Sequence, residues 1–198
     1  MQKSFLVLAV VVTMSALFIG CAKPPQAELD AAQAALDAAK AVEADRYVAG
    51  VFNAAQDSLN AAKAEIEAQK GKFALTRSYK KAAALLAAAS QLAAEAKDKV
   101  AAKKEEVKTE AGKLLTDVQT ALADAKKLIK RAPRGKEGRA AVEAMQTDLK
   151  AVEASIAQVP AVIEKGDFLT ARDTLNANLK KVNSIIDEIK QAMAKVGR

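Results

Sequence analysis

Between Pro25 and Pro133 the chain has no proline, and across its whole length alanine fills about a quarter of the positions. Alanine is the strongest helix former and an interior proline the strongest helix breaker, so a stretch of this kind has little but helix open to it. Aromatic residues make up 4% of the 198, too few for a β-sandwich core or for a platform on which nucleic-acid bases could stack. The expected fold class is all-α. With no His and one Cys, the chain lacks the residues for the common His/Cys zinc sites, for Ser-His-Asp or Cys-His catalysis, and for a disulfide framework.

The first twenty residues differ in kind from the rest. Lys3 supplies a positive start, Phe5 to Ile19 is apolar apart from Thr13 and Ser15, and Gly20-Cys21 closes the run. That run is short for a bilayer-spanning helix, and Lys23-Pro24-Pro25 follows at once, so residues 1–20 read as a signal peptide. Leu17-Phe18-Ile19-Gly20-Cys21 resembles the lipobox of bacterial lipoprotein signals, with Phe18 where that motif more often has Leu. The resemblance implies that Cys21 becomes the N-terminus and carries lipid on its sulfur and its amino group. One acyl chain binds a membrane only marginally, whereas two or three hold a protein there almost permanently. In lipoproteins of two-membrane bacteria, Ala22 rather than Asp after the Cys would imply sorting to the outer membrane, facing the periplasm. The alternatives are an ordinary cleaved signal with a spare Cys, or an uncleaved anchor.

After the Cys21 and proline spacer of 21–26, apolar residues recur at steps of three and four, the period of one helix face. Leu29, Ala32, Leu36 and Ala39 predict a helix over about 26–44; Phe52, Ala55, Leu59, Ala62, Ile66 and Gln69 predict a second ending at Lys70-Gly71. From Tyr79 every seventh residue reads Tyr79, Leu86, Ala93, Val100, Val107, Leu114, Ala121, Leu128, which predicts one continuous helix over roughly 73–131. Its second apolar column changes from Ala82, Ala89 and Ala96 to Ala111, Val118 and Ala125. Val142, Met145, Leu149, Val152, Ile156 and Val159 predict a fourth helix interrupted at Pro160. Gly166-Asp167 then reads as a stop followed by an N-cap, and a fifth helix runs to about 195. The expected architecture is a set of elongated antiparallel helical hairpins or bundles sharing one long central helix. An N-terminal hairpin domain spans 27–100, a basic connector 101–135, and a C-terminal hairpin 136–198.

Lys70-Gly71-Lys72-Phe73 with Arg77, and Lys165-Gly166-Asp167-Phe168 with Arg172, repeat one pattern 95 residues apart. An internal duplication explains it; so does the need of any helical hairpin for a glycine exit and an aromatic seal. Tyr47-Val48-Ala49, Phe52, Ala55, Leu59, Ala62 and Gly71-Lys72-Phe73 resemble the Ala-rich helical-hairpin domain of unknown function found in bacterial envelope lipoproteins, usually just after a lipidated Cys and a short spacer. The resemblance covers about 27–100, with a weaker echo in 136–195. Gly50 and the charged extension after Ala96 depart from a minimal hairpin. The family brings no activity with it.

Charge is unevenly placed: residues 21–70 sum to −3, 71–135 to +8 and 136–198 to +1. Lys126, Lys127, Lys130, Arg131, Arg134, Lys136 and Arg139 form the densest basic cluster, a candidate site for anionic headgroups or acidic envelope polymer. Lysine and arginine also collect at helix C-termini to offset the macrodipole, which explains the cluster without a ligand. It has no interleaved aromatics, so nucleic acid is not an expected partner. Alanine seams bury little area at about 25 cal/mol per Å², which invites self-association or a partner helix unless longer residues such as Leu85 and Leu115 complete the core. Tyr47, Phe52, Phe73, Tyr79 and Phe168 are expected to seal helix ends. Adjacent Glu105-Glu106 point about 100° apart on a helix and do not converge. The function expected is a non-enzymatic, lipid-anchored spacer or interaction scaffold, with no cofactor and no metal. The alternative is a periplasmic binding module taking a peptide, lipid or acidic polymer in a helical groove.

Overall fold

The computed structural model describes residues 23–133 and 136–196. These are all-α: α1 (Gln26–Ala41), α2 (Ala44–Tyr47), α3 (Ala49–Lys70), a 3-10 turn (Ala74–Thr76), α4 (Lys80–Arg131), α5 (Lys136–Glu164) and α6 (Phe168–Val196). The chain divides into two compact units, one up to Val100 and one from Ala101 on. α4 therefore contributes its residues up to Val100 to one unit and the longer part from Ala101 on to the other.

In the first unit, α1, α3 and the start of α4 each bury one stripe: Ala32, Leu36 and Ala39; Phe52, Ala55, Leu59, Ala62 and Ile66; Tyr79, Ala82, Leu86, Ala89, Ala93 and Ala96. Most of these positions are alanine, so the core is made chiefly of methyl groups anchored by Leu36, Leu59, Leu86 and the rings of Tyr47, Phe52 and Tyr79. α1 and α3 run antiparallel, with Lys63 Nζ donating to Gln33 Oε1 at 2.9 Å across the hairpin. The reversal lies earlier than the periodicity predicts. α1 stops at Ala41, and Glu43 takes a left-handed conformation at φ 70°, a cost for a residue with a Cβ. Its carboxylate accepts from Arg46 at 2.6 Å, while burial of Ala44 and Tyr47 just beyond holds the bend closed.

The second unit is a three-helix bundle. Lys108 lies 5.8 Å from the Phe168 ring centroid and Arg172 is 3.9 Å from Glu110, so residue numbers rise together along α4 and α6 and the two run parallel. Lys181 pairs with Asp148 at 2.7 Å and Asn178 donates to Ser155 at 3.0 Å, so α5 runs antiparallel to α6. The core holds Val118, Leu122, Ile129, Leu149, Val152, Leu175, Val182 and Ile189, with Leu115 packed at its edge. Leu85, its counterpart in the first unit, is likewise half-buried.

Three more expectations need correction. The long helix begins at Lys80, not Phe73, because Ala74–Thr76 forms a 3-10 turn and Arg77 is extended. Phe73 seals nothing: it is 72% exposed. Pro160 does not interrupt its helix, since α5 continues to Glu164. Proline removes one N–H there, but its own side is exposed, and Val159 before it with Val162 and Ile163 after it all reach the core and hold the turn helical.

The two Lys-Gly repeats also diverge. Gly166 is left-handed at φ +79°, and the N–H groups of Gly166 and Asp167 reach the carbonyls of Ile163 and Val162 at 2.9 and 3.2 Å, a Schellman motif. Asp167 then caps α6, accepting from the Thr170 N–H at 3.4 Å. Gly71 instead stays right-handed at φ −68° and needs no glycine. A Cβ would meet nothing within 4 Å at Gly166 and nothing closer than 3.6 Å at Gly71. In urea melts, Gly166→Ala should therefore cost about 1–2 kcal/mol from backbone strain alone, while Gly71→Ala should raise stability by roughly 0.5–1 kcal/mol. Pro160→Ala should add about 1–3 kcal/mol by restoring a helical hydrogen bond.

Candidate surface-binding sites

Of the residues singled out for binding, Cys21, Arg134 and the side chain of Lys136 lie outside the described residues. Lys126, Lys127, Lys130 and Arg131 occupy the last turns of α4, and Arg139 is exposed near the start of α5. Helix geometry separates the four on α4 into two pairs. Residues four apart share a side and adjacent ones diverge by about 100°, and the stripe of Leu122, Ala125 and Ile129 faces the core.

Lys126 and Lys130 accordingly line a cleft of about 290 Å³ against α5, with Gln146, Leu149, Lys150 and Glu153. Lys127 and Arg131 line a wider groove of about 610 Å³ against α6, with Asp124, Asn183, Asp187 and Lys190. Each groove mixes both signs of charge. Lys126 is paired with Glu153, and Lys127 sits 3.3 Å from Asp124. Lys130, Arg131 and Arg139 make no such pair among the described residues. A linear run of cations in the sequence is thus distributed over separate faces, and exposed ion pairs of this kind contribute little to stability.

A second surface feature escaped the sequence reading. Phe73 and Leu75 are the large hydrophobic residues most exposed to solvent among those described, at 72% and 74%, and they lie two apart in the loop joining α3 to α4. That loop is pinned by polar side chains. Arg77 donates from Nε to the Lys72 carbonyl and from a terminal nitrogen to the Lys70 carbonyl, both at 2.9 Å, satisfying groups left over at the end of α3. Gln69, 6% exposed, accepts from the Ser78 N–H at 3.1 Å and donates to Glu65 at 2.7 Å; Glu65 also pairs with Lys81 at 3.2 Å. The Tyr79 ring is buried below with its hydroxyl unpartnered among the described residues. The signal in the sequence was Phe73, which stands on neither the column that starts at Tyr79 nor the one that starts at Ala82, whereas Leu75 falls seven residues before Ala82 and reads as core.

Compared with protein-family models, with curated proteins and with solved structures, the chain matches none. No helix among the described residues is long and apolar enough to cross a membrane.

The carboxyl of Glu65 is held below its ordinary value, first by the hydrogen bond from Gln69 and next by that from Lys81. A carboxylate with a lowered folded pKa stabilises the protein above its unfolded pKa, and that stabilisation is lost as pH falls through the folded value. Glu65→Gln should therefore be less stable than wild type at pH 7, and the gap between their thermal midpoints should close as pH drops below 4.5, the unperturbed value. A gap that stays constant with pH would contradict this account of the loop.

Proposed function

We propose that this chain is a lipid-anchored lipoprotein of the bacterial cell envelope, acting without enzymatic activity as a helical spacer or interaction scaffold on the outer membrane, facing the periplasm. One observation carries the proposal: the only Cys of the chain stands directly after Gly20, at the end of the Phe5–Ile19 apolar run and before a Lys-Pro-Pro spacer. The start of α1 supports it, because the first helical bond runs from Leu29 N–H to the Pro25 carbonyl, so this helix begins a few residues past the proposed lipid. The resemblance of residues 27–100 to the Ala-rich hairpin family of envelope lipoproteins points the same way. The grooves beside α4 are open and of mixed charge, as suits contact with a partner or polymer better than enclosure of a substrate.

The groove of about 610 Å³ against α6 favours a second reading, a binding module for an acidic polymer, peptide or lipid. Mass spectrometry of co-purifying molecules separates the two: a scaffold brings nothing stoichiometric. For the anchor, cells fed a fatty-acid analogue should label the wild-type chain and not Cys21→Ser. Equal incorporation into both would end the lipoprotein proposal.

A further inference from the structure

The apolar loop and the start of α1 lie at the same end of the first unit. The Lys63–Gln33 hydrogen bond fixes the register of α1 against α3. Seven residues back from Gln33 is Gln26, where α1 begins, and seven residues on from Lys63 is Lys70, where α3 ends. Both helices rise about 1.5 Å per residue, so these two ends are level. Pro25, Pro24 and Lys23 therefore leave the unit beside the loop that carries Phe73 and Leu75, and Cys21 is five residues from Gln26, a reach of about 17 Å at most.

We propose that the 71–77 loop is a second membrane-contact site, in which Phe73 and Leu75 enter the interfacial layer of an anionic bilayer while Lys72 and Lys80 meet its phosphates. The inference rests on the lipid-anchored reading above. Two apolar side chains are held outward by a backbone that Arg77 and Gln69 fix from within, so their exposure belongs to the folded state. Charge complementarity selects the occupant. Lys72 and Lys80 are exposed, Lys80 makes no ion pair among the described residues, and Lys72 lies close enough to influence Glu65 without pairing with it directly. An aromatic and an aliphatic residue flanked in sequence by lysines is the composition that settles at a membrane interface, where apolar groups leave water and cations stay with headgroups. Two side chains fall far short of the roughly 1,200 Å² that a stable protein pair buries. An acyl anchor at the same end removes that difficulty for a membrane, since it makes the loop's contact intramolecular in effect and a weak contact suffices.

The chain contains no Trp, so Phe73→Trp places a single indole at the loop, excited apart from the two tyrosines, and Ala41→Trp places a control at the exposed last residue of α1, at the opposite end of the unit. Each full-length variant is reconstituted with vesicles of phosphatidylglycerol bearing brominated acyl chains, and separately with the matching phosphatidylcholine. The loop indole should be quenched several-fold more than the control in phosphatidylglycerol, and less in phosphatidylcholine. Equal quenching of the two indoles, or no quenching of the loop indole, overturns the inference. So does a blue shift of the loop indole that depends on protein concentration without vesicles, which would make a second copy the occupant. Acyl labelling at Cys21 is read in parallel. An unacylated chain with a quenched loop indole sinks the anchor and keeps the loop; an acylated chain with an unquenched one does the reverse.

Discussion

A straight α-helix turns 100° per residue, so a strict seven-residue repeat slips about 20° per heptad against any fixed direction. In α4 the buried column changes along the helix. Tyr79, Leu86, Ala93, Val100 and Val107 of its heptad series are buried, whereas Leu114, Ala121 and Leu128 are only half-buried, and the fully covered positions move one residue on to Leu122 and Ile129. Ala111, Val118 and Ala125 become the companion column in the same stretch. The change of column visible in the sequence accompanies the passage of α4 from the core of the first unit to that of the second.

The two units solve the problem of burial differently. The first is lined mostly by alanine, which adds little hydrophobic area but keeps helix propensity high and side chains short. The second relies on Leu, Ile and Val from α4, α5 and α6. A methyl-lined core leaves more of the specificity to its ends, and the polar detail of the first unit gathers there: Gln69 and Arg77 at one end, Glu43 with Arg46 at the other.

The candidate sites were unevenly legible. Cys21 is conspicuous because it is unique and follows the apolar run, a matter of order along the chain. The basic cluster was visible as composition, yet Lys126 with Lys130 and Lys127 with Arg131 face different grooves, because helical rotation separates neighbours in sequence. Phe73 was placed at a helix start by its likeness to Phe168, which does lie against the second unit with Lys108 over its ring. The likeness held in letters only. Gly166 turns left-handed and Asp167 caps α6, while Gly71 stays right-handed and Arg77 takes the loose carbonyls of α3 instead.

Alanine content, the placing of Pro24, Pro25 and Pro133 and the three-and-four spacing of apolar residues determined the helices and the faces they bury, since these depend on local propensity and on a period written along the chain. Tertiary structure decided where helices stop when no residue forces them to. Glu43 bends the chain without glycine or proline because closing α1 onto α3 repays a left-handed residue. Residues 73–79 leave the helix because Arg77 and Gln69 bond across the turn, and Pro160 stays within one because its neighbours are held by the core. Each of these outcomes turns on contacts between distant residues, which outweigh local preferences of about the same size.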